Sequence, residues 1–120
     1  MEYTKQELEV ARNVVRNTIN RWENMRPKFR SDTAQYSLLE NRLRALYTAQ
    51  KLLTGKGGDF SKKELEAALP PIASILHKTE TARRKHPEDS PIDKRLSPTI
   101  RAMEIVRELL EQALSQMREA

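Results

Sequence analysis

The sequence predicts an all-α chain: an up-down antiparallel four-helix bundle made of two tandem helical hairpins. Three observations carry that expectation. Shifted by 57 positions without a gap, residues 4–53 fall on residues 61–110, and fourteen of the fifty pairs are identical. Composition alone would give about three or four, and self-similarity at a fixed period marks a duplicated structural unit. Apolar residues recur at helical rather than strand spacing through both halves. The composition agrees, with 120 residues, 38% hydrophobic, 32% charged and three Gly, which suits helices around a thin core.

The first helix is predicted to start at Thr4. Its hydroxyl can accept from the Glu7 amide while the Glu7 carboxylate returns to the Thr4 amide, a capping box. Leu8, Ala11, Val15, Ile19 and Trp22 follow at helical spacing. The helix stops by Met25 or Arg26, because the residue before Pro27 is pushed out of helical angles. The second helix starts near residues 31–33, where short polar side chains cap exposed amides. Tyr36, Leu39, Leu43, Leu46 and Leu53 form its stripe, and Gly55 ends it by accepting the left-handed angle of a helix stop.

Ser61 and Glu64 repeat the capping box and open the third helix. Pro70 and Pro71 fall inside it, so a break or kink is expected near Leu69, since proline removes an amide and clashes with the preceding turn. Ile72, Ile75, Leu76 and Thr79 resume the stripe, which ends around Lys85. The fourth helix is predicted from Ser97-Pro98, a cap followed by the proline-tolerant first position, to about Met117. The repeat points to an earlier entry at Asp89-Ser90-Pro91, where one loose turn at most is expected. Residues 1–120 thus read as one domain, with repeat one at 4–54, repeat two at 61–117 and a linker at 55–60. A half of this length alone is marginal, whereas the whole buries a real core.

Composition also narrows the functional classes. There is no Cys, which excludes thiolate and disulfide chemistry. No secretory signal pattern opens the chain and no apolar run is long enough for a membrane span, so a cytoplasmic protein without membrane partners is expected. Neither His77 nor His86 follows a Glu by three residues, as a bundle metal centre requires, and no metal or cofactor is expected. Residues 55–59, Gly-Lys-Gly-Gly-Asp, lack the Lys-Ser/Thr ending and preceding strand of a phosphate loop and read as a connection. Glu23/Glu80 and Arg44/Arg101 recur 57 apart; they read as repeated surface charge or ion pairs rather than acid–base groups, and no catalytic residue is assigned.

Two surfaces remain. Helices two and four are apolar over more than one stripe: residues 100–117 cover an arc of roughly 220°, against a typical core stripe of little over 100°. Leu38, Ala45, Ala49, Leu52, Ala102, Ile105 and Leu109 are therefore expected to face a second subunit. The leading expectation is a non-enzymatic protein-interaction module, a homodimer or a binder of a protein partner. The alternative rests on the net charge of +5. Arg26, Lys28 and Arg30 lie in the first turn; Arg83, Arg84, Lys85, Lys94 and Arg95 flank the third, at the same end of the bundle. A focused positive field attracts anions, and Phe29 among the first cluster could stack on a base, so nucleic acid or another anionic partner is the second expectation.

Overall fold

The computed structural model describes residues 3–55 and 60–119. Four helices follow in order: α1 (Lys5–Met25), α2 (Ala34–Leu53), α3 (Lys62–Arg84) and α4 (Pro91–Glu119), with a single 3-10 turn at Arg26–Lys28. Side-chain pairings show the alternating directions. Arg12 reaches the Leu53 carbonyl while Tyr47 meets Glu23, so α1 and α2 run oppositely. Arg42 reaches Ser74 and Lys51 reaches Glu64 across α2 and α3. Glu7 meets Arg101 and Tyr3 meets Glu108 across α1 and α4. The fold is the expected up-down antiparallel four-helix bundle.

Capping sets the starts. Thr4 Oγ1 accepts from the Glu7 amide at 3.1 Å and Glu7 Oε1 accepts from the Thr4 amide at 3.1 Å. Thr33 caps α2 by accepting from Tyr36 at 3.3 Å. Ser61 accepts from the Glu64 amide at 3.0 Å, but the Glu64 carboxylate turns to Lys51 at 3.7 Å. Gly55, at φ 75°, ends α2 in the left-handed conformation that glycine adopts without a Cβ clash. Residues 56–59, which hold most of the expected linker, lie outside the described residues.

Two expectations are corrected. First, α4 begins at Pro91, two turns before Ser97-Pro98. Ser90 Oγ accepts from the Asp93 amide at 3.2 Å, and Asp93 Oδ2 accepts from the Asp89 amide at 2.9 Å, so Ser90 is the cap and Pro91 takes the proline-tolerant first position. Pro98 sits inside the helix, where the carbonyl it leaves without an amide belongs to exposed Lys94. Second, α3 is not broken at Leu69; it runs through Pro70 and Pro71 to Arg84. Those prolines free the carbonyls of Glu66 and Ala67, both on the exposed face where water can satisfy them, while buried Leu65, Ala68, Ile72, Ile75 and Leu76 hold both halves on the core.

The apolar residues form one cluster drawn from all four helices. Ala11 and Ala68, Val15 and Ile72, Ile19 and Leu76, Leu43 and Ile100, Ala45 and Ala102, Leu46 and Met103, and Leu53 and Leu110 are buried in pairs 57 residues apart. The helix starts keep the same interval, at Lys5 and Lys62 and at Ala34 and Pro91.

The helices are not equivalent. Among the described residues, α2 packs on α1, α3 and α4, and α4 packs on α1, α2 and α3, but α1 and α3 do not meet. In cross-section the bundle is a diamond with α2 and α4 on its short diagonal. A helix with three neighbours needs a wider apolar face than one with two. The broad arcs of α2 and α4 are therefore filled within the chain.

Candidate functional site

Two grooves mark the surface, each between helices from opposite halves of the chain. The first, about 640 Å³, lies between the N-terminal parts of α1 and α4. Ala11, Ala102 and Ile105 form its floor, Val10 and Pro98 its apolar flanks, and Glu7, Lys94 and Arg101 stand on its rim. Val10 is 49% exposed there. The second groove, about 610 Å³, lies between α2 and α3 and is lined by Asn41, Arg44, Ala45, Thr48, Glu64, Ala67 and Ala68 among others.

The 57-residue shift maps one groove onto the other. Glu7, Val10, Ala11, Pro98, Arg101, Ala102 and Ile105 correspond to Glu64, Ala67, Ala68, Asn41, Arg44, Ala45 and Thr48. At three of these positions Val10, Pro98 and Ile105 in the α1–α4 groove stand where its counterpart has Ala67, Asn41 and Thr48, while Tyr47, Pro70 and Pro71 line the counterpart alone.

Their electrostatics also differ. Arg101 Nη2 lies 2.9 Å from Glu7 Oε2 and its guanidinium stands 5.6 Å from the centre of the Tyr3 ring. The Tyr3 hydroxyl donates to Glu108. Burial, then the bond to the Glu108 carboxylate, push the Tyr3 hydroxyl up to about 12. The Thr4 amide, then the Arg101 guanidinium, hold the Glu7 carboxyl below its usual value. These contacts tie the start of α1 across α4 at the groove mouth. In the counterpart the same residue types part company: Arg44 lies 3.7 Å from Glu40, and Glu64 lies 3.7 Å from Lys51.

The expected self-association surface needs correction. Ala45, Ala49, Ala102 and Ile105 are buried in the core of the single chain, and Leu52 and Leu109 are half-buried; Leu38 alone of the seven is exposed, at 44%. A helical wheel measures the width of an apolar arc but not how many neighbours cover it.

The basic residues divide. Arg26 meets Glu23 at 2.9 Å and Glu40 at 3.8 Å; Arg30 meets Asp32 at 3.0 Å; Arg83 meets Asp93 at 3.9 Å. The side chains of Lys28, Arg84, Lys85, Lys94 and Arg95 are exposed and make no hydrogen bond or ion pair among the described residues. Phe29 is half-buried and packs on the core, as does Trp22, so the expected stacking platform is only partly open to solvent. No bond among the described residues joins the first-turn cluster to the third-turn one.

Glu23 and Arg44 do not share a cavity. Glu23 Oε2 accepts from the Tyr47 hydroxyl, which raises the Tyr47 pKa. Its Oε1 is buried and lacks hydrogen-bond geometry although Arg26 is close by, so the contact there is one of charge. Arg42, between α2 and α3, donates to Ser74 Oγ at 3.0 Å; burial lowers its pKa and its Nε has no partner. His77 and His86 are exposed. No helix of the described residues is long and apolar enough to cross a membrane.

Val10 and Pro98 were not singled out by sequence. The signal that could have found the groove is the joint recurrence of Glu7/Glu64 and Arg101/Arg44 at one interval, on helices that the antiparallel order brings together. The chain matches no protein-family model, no curated protein and no solved structure.

Proposed function

We propose that this protein is a non-enzymatic interaction module, a tandem duplicate of one helical hairpin, that binds a helix of another protein in its α1–α4 groove. The observation that carries the reading is the apolar trough itself: Ala11, Ala102 and Ile105 on its floor, exposed Val10 and Pro98 on its flanks, and Lys94 on its rim. The lining spans Asp93 to Ile105 along α4, about 18 Å at 1.5 Å per residue. A trough that long suits a helix of a few turns better than a compact small molecule. Helix-in-groove recognition places apolar anchors on the floor and charges along the edge. Unpaired Lys94 on the rim favours an acidic residue beside those anchors, while Arg101 is already held by Glu7. The duplication is supported by the paired helix starts and paired buried positions. The helix-binding unit is taken to be one chain, because the core already covers most of the apolar arc once expected to pair.

The test is selection from a library of helical peptides on the wild-type protein, counter-screened with Val10→Glu. Val10 is half in solvent, so the charge leaves the fold intact. Peptides that lose affinity with Val10→Glu and keep it with Ala67→Glu, the matching change in the other groove, support the reading. A selection yielding no peptide that depends on Val10 overturns it.

A further inference from the structure

We infer that the α3–α4 turn, which shares Lys94 with the groove rim, is a docking point for the phosphate backbone of a nucleic-acid duplex. Arg84 and Lys85 close α3, and Lys94 and Arg95 lie in the first two turns of α4. The Arg83–Asp93 contact at 3.9 Å draws the two helix ends together, so both cation pairs flank one turn. All four side chains are exposed and, among the described residues, none has a hydrogen-bond or ion-pair partner.

The arrangement points to an extended polyanion rather than a single anion. Glu88 and Asp89 occupy the turn between the two cation pairs. A lone phosphate seated centrally would meet those carboxylates. A polymer with anionic groups at intervals can touch Arg84 and Lys85 on one side and Lys94 and Arg95 on the other, passing over the acidic middle. Two of the four are arginines, whose planar fork matches phosphate oxygens. A duplex is favoured over a single strand because single-strand sites stack bases on aromatic side chains, and residues 84–95, which carry all four cations, include no Phe, Tyr or Trp; nearby Trp22 and Phe29 pack on the core and Tyr36 is partly buried. The contacts are to backbone, so binding has little sequence preference.

The test is fluorescence anisotropy with a labelled duplex of mixed sequence. Four phosphate contacts predict affinity falling roughly 150-fold between about 50 and 200 mM salt. Reversal of Arg84, Lys85, Lys94 and Arg95 to Glu should abolish binding at low salt. A control reverses the same number of exposed cations away from the turn: Lys5, Lys62, Lys63 and Arg16. It should retain most of the affinity, and a milder Lys94→Gln/Arg95→Gln variant with an unchanged melting temperature should lie between. Absence of duplex binding by the wild type at low salt, equal losses in the two reversal variants, or tighter binding of a poly-glutamate peptide or of a single strand would each overturn the inference.

Discussion

Arg101 and Glu7 lie 94 residues apart in sequence and 2.9 Å apart in space, and their contact closes the first helix onto the last. The pair is partly exposed, so solvent screening keeps its direct worth small. A cycle of Glu7→Gln and Arg101→Gln, followed by urea unfolding, should return a weak coupling that shrinks further as salt is added. Glu7→Gln keeps an oxygen that can accept from the Thr4 amide, whereas Glu7→Ala also loses the return arm of the capping box and should cost more. Equal costs for Glu7→Ala and Glu7→Gln would show that the return arm contributes nothing.

The same carboxylate sets an acid limb. The folded-state pKa of Glu7 is depressed, by the Thr4 amide first and Arg101 second. Its contribution is present above the unfolded value of 4.5 and is lost as pH falls below it. Stability measured against pH should therefore decline less steeply in Glu7→Gln than in wild type on the acid side. Parallel curves would dissociate Glu7 from acid sensitivity.

At the other extreme, Tyr3 titrates late. Its folded pKa is raised from 10.0 to about 12, so its contribution is fully present below pH 10 and fades as pH climbs from 10 to about 12. Tyrosinate absorbance should show a phase near pH 12 that disappears in Tyr3→Phe. Glu108→Gln, which removes the accepting carboxylate, should move that phase down.

Proline inside a helix costs about 3 kcal/mol where an amide is lost and the ring presses on the preceding turn. Pro98 lies within α4 with its side chain exposed at the groove. Pro98→Ala should raise stability by up to about 3 kcal/mol in chemical unfolding, while lowering affinity for a groove ligand. A variant no more stable than wild type would mean that the carbonyl of Lys94 is already satisfied by water at little cost.

Core alanines should behave oppositely to exposed leucine. Ala49→Leu forces a larger side chain into a fully buried site and should cost about 1–3 kcal/mol by overpacking, whereas Leu38→Ala should stay within about 0.5 kcal/mol. Light scattering should give a monomer mass for wild type and Leu38→Ala alike. A dimer dissociated by Leu38→Ala would restore the self-association reading.

Helix starts were legible where a cap carried its own signal: Thr4 with Glu7, Ser61 with Glu64, and the polar run ending at Thr33. The start of α4 was also written in the chain, in Ser90-Pro91 and in the 57-residue interval, but Ser97-Pro98 offers the same local pattern six residues on. Local pattern cannot choose between them; half-buried Ile92 and Leu96, which lie in the disputed turns, can. The break read from the α3 prolines is absent for a related reason, because whether a freed carbonyl is tolerable depends on which face it occupies. The groove was hidden because residues near 10 and near 100 line it together, and that adjacency belongs to packing.

The diamond has one more consequence. A half chain containing α1 and α2 would leave α2 bare on the sides that α3 and α4 now cover, and the half containing α3 and α4 would leave α4 equally bare toward α1 and α2. Each half therefore needs the other to finish its interior. Because both lie on one polypeptide, the tether holds the second half at a local concentration that dilution does not lower, so the core forms without regard to how much protein is present.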